Sequence, residues 1–146
     1  MSEFLPGEVI EIAVNGSFAH VQVTHHHPSY PPVVRVLRGL SRQPWSGPDP
    51  AERTKTAFKV LIPLKAALAR AGCPAKSLGQ APVPKVDRVF PTFRTPVRGR
   101  DGAVLYGWFW NGHTLRHGDD SEAATKFPLR EVTGAAALLD RIAREA

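Results

Sequence analysis

AVLYGWFWNGHTLRH, residues 103–117, is the stretch whose reading decides the fold. It carries two of the three Trp and one of the two Tyr, with Asn111-Gly112 inside it. A two-residue Asn-Gly turn requires positive φ at both positions, which these residues tolerate at low cost. Flanked by apolar and aromatic residues, it predicts a β-hairpin pairing Trp110 with His113, Trp108 with Leu115 and Tyr106 with His117. Side chains alternate along a strand, so these residues share one face. Phe109, Gly107 and Leu105 fall on the other, opposite Thr114 and Arg116.

Asp101-Gly102, just upstream, is a second two-residue turn signal. It extends the hairpin to a three-stranded meander, pairing Ala103 with Arg100 and Leu105 with Arg98. Phe93, Thr95 and Val97 then join the face of Trp110, Trp108 and Tyr106. Arg94, Pro96 and Arg98 join that of Phe109. The first face is the expected core, because Trp and Tyr bury large areas once the N–H and O–H find partners. The second, with Arg94, Arg98 and Arg116 around Phe109, is solvated or a partner surface. Pro96 has no ladder donor, so a bulge is expected near it. A one-residue slip would exchange the faces.

A chain of 146 residues is expected to form one domain over 1–146, long enough for a real core. Hydrophobic residues make up 42%, an ordinary globular share. Gly 12 and Pro 14 point to many turns and few long helices. The single Cys73 excludes an internal disulfide and a Cys-based zinc site, and fits a reducing compartment. Lys plus Arg is 19 against 13 acids, a net charge of +6. That excess suits nucleic acid, acidic proteins or anionic membrane surfaces, and it also serves solubility alone. MSEFLPGE lacks the basic and apolar regions of a signal peptide, and no apolar run approaches the ~20 residues of a membrane span. A soluble, cytoplasmic protein with no membrane association is expected.

Asn15-Gly16 centres an earlier hairpin over residues 8–24, pairing Val14 with Ser17, Ile12 with Ala19 and Ile10 with Val21. That face is almost wholly apolar. The opposite face pairs Ala13 with Phe18, Glu11 with His20 and Val9 with Gln22. Glu11 and His20 are an acid–base couple in type. With no third group in view, the plainer reading is an exposed cross-strand pair worth at most ~1 kcal/mol. Of His25, His26 and His27, alternation lets His25 and His27 alone share a metal, and no carboxylate lies nearby in sequence. A loop decoration is the plainer reading, and no metal site is assigned.

Val33–Leu37 reads as a buried strand with Arg35 as its exception. Residues 39–56, rich in Gly and Pro, read as a long loop, which Trp45 pins to the core or offers as a contact. FKVLI (58–62) is a short strand, and Pro63 opens a helix ended by Gly72. Residues 74–87 read as a Pro-rich connection and Gly118-Asp119-Asp120 as a turn. The closing helix takes Thr133 as N-cap and Ala135, Leu138, Leu139 and Ile142 as its apolar stripe.

The segments HVQVTHHHPSY (20–30), VVRVLRGL (33–40), FKVLIPLKAALARAG (58–72), VFPTFRTPV (89–97), GWFWNG (107–112) and FPLREV (127–132) carry a resemblance. Together they resemble the immunity proteins of bacterial polymorphic-toxin systems, namely the twenty-sixth immunity-protein family. The likeness covers most of the chain, including strand order and the closing helix, and its motifs are hydrophobic rather than catalytic. It implies a binding function, in which the protein sheathes a cognate toxin. Immunity proteins against nucleases are often acidic, whereas this chain is basic. The resemblance therefore implies either a partner other than a basic nuclease or another role for this branch. No active-site residue is carried over.

The expected fold is α+β, a mainly antiparallel, strongly bent sheet or partial barrel with two short helices near 63–71 and 134–145. Its expected core is Ile10, Ile12, Val21, Val36, Val60, Trp108, Trp110, Leu138 and Ile142. Three functions compete. A non-enzymatic protein-binding module would meet an acidic protein partner through Arg94, Arg98, Phe109, Arg116 and Trp45, since Arg and aromatics are enriched at interfaces. A small basic sheet would bind nucleic acid by stacking on Phe109 with phosphate contacts from the same arginines. An enzyme would use Glu11, His20, His113, His117 or Asp119, but no spacing fixes a nucleophile, base and orienter. The first is preferred, with no catalytic residue, cofactor or metal.

Overall fold

The computed structural model describes residues 3–98, 104–117 and 127–146. The fold is α+β and its sheets are antiparallel. Among the described residues eight strands, β1 (Glu8–Val14), β2 (Ser17–His25), β3 (Val33–Leu37), β4 (Thr56–Leu61), β5 (Ala75–Gln80), β6 (Phe93–Arg98), β7 (Val104–Trp110) and β8 (Leu115–His117), make two sheets. Helices are α1 (Leu64–Arg70) and α2 (Ala135–Glu145). The first sheet runs β4-β3-β2-β1-β5 and the second β6-β7-β8. Neither closes into a barrel. No helix among the described residues is long and apolar enough to cross a membrane.

The chain divides into two compact units. One comprises the residues up to Arg88 together with Val132–Ala146; the other is Val89–Glu131.

In the first unit the β1–β2 hairpin has every pair of the expected register, including Ile10 with Val21 and Glu11 with His20. Asn15 and Gly16 adopt φ of 49° and 81°, the positive pair that a two-residue turn of this hand demands. Ile10, Ile12, Val14, Val21, Val23, Val34, Val36, Phe58 and Val60 share a core with Leu64 and Leu68 of α1 and Leu138 and Ile142 of α2. Each helix thus buries an i, i+4 pair against one sheet face, worth roughly 1.5–3 kcal/mol per fully buried aliphatic side chain. The other face is buried too, since all five residues of β3 are inaccessible. There Val9, Leu37, Ala51 and Ala81 form a second cluster beneath Trp45 and Leu78.

Two local expectations are corrected in this unit. Residues 75–80 form β5 along the edge beside β1, rather than a plain connection. Gly134, not Thr133, is the N-cap of α2, and no side chain caps it. Thr133 is engaged elsewhere, its backbone N–H donating to Leu61 O at 2.8 Å, beside the parallel bridge between Leu61 and Val132.

In the second unit β6 and β7 pair as expected through Phe93–Trp110, Arg94–Phe109 and Thr95–Trp108. A register shift between Thr95 and Pro96 then pairs Pro96 with Tyr106 and Arg98 with Val104. The unpaired residue is Gly107, so the bulge sits where Pro removes a donor and Gly removes a side chain. The Asp101-Gly102 turn lies outside the described residues, as does the 118–120 turn.

The register of β7 with β8 is corrected by two residues: Trp110 pairs with Leu115, Phe109 with Arg116 and Trp108 with His117. Asn111 is the cause. Its Oδ1 accepts from the His113 and Thr114 backbone N–H groups at 3.0 and 2.9 Å, closing a longer turn in which Gly112 alone has positive φ. A shift of two preserves which residues share a face.

Candidate functional site

The first unit brings together what the sequence left apart. Glu11 and His20 are not an exposed pair: they are 5% and 1% accessible. His20 Nε2 lies 2.9 Å from Glu11 Oε2, and the same oxygen accepts the Trp45 backbone N–H at 2.7 Å. The indole of Trp45 covers the imidazole, ring centroids 3.6 Å apart and planes 7° from parallel. Trp45 is therefore the third group, arriving from the long loop. Burial depresses the pKa of His20, against the opposing pull of Glu11. Burial raises that of Glu11, but the donors His20 and Trp45 and the positive charge of Lys76 outweigh it and hold the carboxylate below its ordinary range. These directions leave a carboxylate accepting from a neutral imidazole, with Nε2 as the protonated nitrogen.

On the same sheet face lies Arg35, wholly buried. Its Nε donates to Gln22 Oε1 at 2.8 Å, Nη2 to Ala51 O at 2.7 Å, and Nη1 to Thr54 O and Thr56 Oγ1 at 3.0 and 3.1 Å. Gln22 passes the network on to Gly7 O and Ala81 O at 3.1 and 2.9 Å. Asp87 supplies the countercharge 4.0 Å from Arg35 Nη1 and is itself bridged by Lys59 at 2.9 Å. Burial lowers the Arg35 pKa and Asp87 opposes it. An ion held by this many neutral acceptors is a girder for the 49–54 loop rather than a reactive group.

The triple histidine makes three separate clips. His25 meets Thr24 Oγ1 and Arg88 O at 2.9 and 2.8 Å, and His26 meets Phe4 O at 2.7 Å. His27 accepts from Ser29 N at 3.0 Å and stands edge-on to Tyr30. Among the described residues no three of His, Cys, Asp and Glu gather as metal ligands.

In the second unit the candidate surface is partly consumed by packing. Phe109, expected on an open face, is 7% accessible, with Phe127 edge-on at 5.2 Å and the Arg116 guanidinium 4.8 Å above its ring. Arg94 is half-buried; its Nε donates to Phe127 O at 2.6 Å. Its backbone holds the 127–130 segment beside β6, through Arg94 N to Pro128 O and Arg130 N to Arg94 O. Arg116 is exposed. The side chain of Arg98 lies outside the described residues.

On the opposite face Phe93 and Trp110 are buried with Phe90 against both, and Arg130 lies 5.2 Å over Trp110. Trp108 is a correction to the expected core: it is 44% accessible. Leu115, opposite Trp110 on β8, is 50% accessible. Strand alternation identified this face but not which of its rings would be covered; Phe90 reaches Trp110, two residues along from Trp108.

No family model, curated protein or solved structure matches this chain.

Proposed function

We propose that the chain is a non-enzymatic protein-binding module that docks an acidic protein partner through the β7–β8 surface. The resemblance in sequence suggests a bacterial toxin bound by its immunity protein. The observation that carries this reading is the Arg116 guanidinium of β8, exposed and seated over Phe109, with Trp108 of β7 and Leu115 of β8 exposed on the other face of the same two strands. Trp and Arg are the residues that most often anchor interfaces. A guanidinium held over an aromatic ring is already ordered, so less freedom is lost when a carboxylate meets it. The Glu11–His20 couple supports the non-enzymatic reading, because it is buried beneath Trp45 and offers a substrate no approach.

Nucleic acid is the second reading. Trp108 favours it as an exposed ring on which a base would stack, a role for which Phe109 has little free surface. Where a toxin domain is encoded beside the gene, calorimetric titration with that domain, and with a single-stranded oligonucleotide as the competing ligand, tests both. Toxin binding that weakens at least tenfold in Arg116→Glu supports the protein-binding reading. Oligonucleotide binding alone, lost in Trp108→Ala, would replace it with the second.

A further inference from the structure

The loop that carries Trp45 is fastened at both ends by bonds indifferent to mild acid. At one end Ser41 and Phe18 exchange backbone hydrogen bonds of 2.7 and 2.8 Å. At the other the buried Arg35 holds Ala51 O and Thr54 O. Between them lie Arg42, Gln43, Pro44, Trp45, Ser46, Gly47 and Pro48. Among the described residues, the hydrogen bond tying this segment to the sheet is that from Trp45 N to Glu11 Oε2, and the ring contact is that of Trp45 on His20.

We infer that Trp45 is a pH-sensitive latch: proton uptake by His20 releases the 42–48 segment from the β1–β2 hairpin while the rest of the fold persists.

Glu11 faces the imidazole from β1, and Trp45 covers it from the loop. The charged neighbour of Glu11 on β5 is Lys76, its register partner. Arg35 is occupied by its own acceptors and Asp87. With Nε2 committed to Glu11, an incoming proton goes to Nδ1. The product is an imidazolium nearly sealed from water, and desolvation penalises it. Carboxylate attraction and the indole face act the other way, but burial at 1% accessibility outweighs them, so the closed form holds the cation less well than an opened one would. Opening the segment hydrates the cation at the loss of one backbone hydrogen bond, one ring stack and the packing of Trp45 on the cluster of Val9, Leu37, Ala51 and Ala81. The freedom that the segment gains in the open state adds to the release.

The test uses the full chain labelled with 5-fluorotryptophan. Its three Trp give three fluorine resonances, that of Trp45 identified by its absence in Trp45→Phe. On acidification the Trp45 resonance should move in one transition with a midpoint below 6.5, the ordinary histidine value, while those of Trp108 and Trp110 do not follow. In His20→Gln, whose amide still donates to Glu11, the Trp45 resonance should not move over the same pH range. The imidazole of His20, followed by proton–nitrogen correlation in wild type, should titrate with the same midpoint and needs no variant. A Trp45 resonance that does not move, an unchanged transition in His20→Gln, a His20 midpoint above 6.5, or one that differs from that of Trp45 would each overturn the latch.

Discussion

His20 and Trp45 lie face to face, 3.6 Å between ring centroids, although the two residues belong to a strand and a distant loop. The stack turns an acid–base pair that two adjacent strands would leave half-wet into one sealed from solvent. It also makes a single carboxylate oxygen of Glu11 the meeting point of β1, β2 and the loop.

The first prediction follows from the protonation of that cluster. His20 and Glu11 are both held below their ordinary values of 6.5 and 4.5. Between its folded and unfolded pKa, each group binds more protons in the unfolded chain, so stability falls as pH falls. The His20 contribution is fully present above 6.5 and is lost as pH drops through the lower folded value; that of Glu11 is present above 4.5 and goes in turn. The urea midpoint of wild type should therefore drop between about pH 7.5 and 5.5, and that of His20→Gln should drop less. Equal drops in the two proteins would show that His20 is not the group responsible.

The pairing behind this cluster was legible from the sequence, and its burial was not. Asn15-Gly16 sets the register to the residue because turn type and strand twist leave one option. Glu11 and Trp45 are 34 residues apart, and no periodicity links a strand to a Pro-rich loop. The second Asn-Gly was misleading for a local reason: the Asn111 side chain caps the turn itself, so Asn stands before the turn instead of within it. β5 was missed because AKSLGQ, five of its six residues exposed, has no apolar alternation and is held by backbone pairing at a sheet edge. Arg94 and Arg116 were correctly placed on one face with Phe109, yet alternation could not tell that residues 127–130 return to occupy Arg94.

Arg35 should be among the least replaceable residues of the first unit. Arg35→Ala leaves Gln22 Oε1, Ala51 O and Thr54 O without their donor and weakens the neutralisation of Asp87. Removing one member of a buried charged network costs about 3–5 kcal/mol. Chemical denaturation followed by circular dichroism should show that loss, and a shift below about 1 kcal/mol would mean the loops re-satisfy themselves.

Two glycines in similar turns should differ in their tolerance of a methyl group. Gly16 has φ of 81° and open space where a Cβ would stand, so Gly16→Ala costs the backbone strain alone, about 1–2 kcal/mol. Gly112 has φ of 95°, and its Cβ would meet the Phe90 ring at 2.8 Å. Gly112→Ala therefore adds a clash worth roughly 1–3 kcal/mol. The difference between the two melting shifts isolates the Phe90 contact, and equal shifts would show that this ring yields freely.

The neighbouring tryptophans of β7 should separate in the same way. Trp110 is 5% accessible beneath Phe90 and Phe93, so Trp110→Ala should cost about 3–5 kcal/mol. Trp108 is 44% accessible and should cost well under half of that. Denaturation midpoints of the two variants decide it; the reverse order would place Trp108, not Trp110, in the core.

Arg94 and Arg116 flank the same Phe109, yet acidic substitutions at the two should act on different properties. Arg94 Nε supplies Phe127 O with its donor at 2.6 Å, and Arg94→Glu replaces that donor with an acceptor facing a carbonyl. The loss is one charge-assisted bond plus a repulsion, about 1.5–3 kcal/mol, so its effect falls on stability of the second unit. Arg116 gives the fold a cation–π contact at an exposed site, about 0.5–1 kcal/mol, and Arg116→Glu should leave the melting curve nearly in place. If the partner is acidic, that same variant should weaken binding and flatten its dependence on salt, because the lost attraction is the part that ions screen. Melting and binding measured on both single variants give a crossed pattern: stability lost in Arg94→Glu, affinity lost in Arg116→Glu. Binding untouched by Arg116→Glu, with its fold intact, would remove this arginine from the docking surface and leave Trp108 and Leu115 as the residues to test.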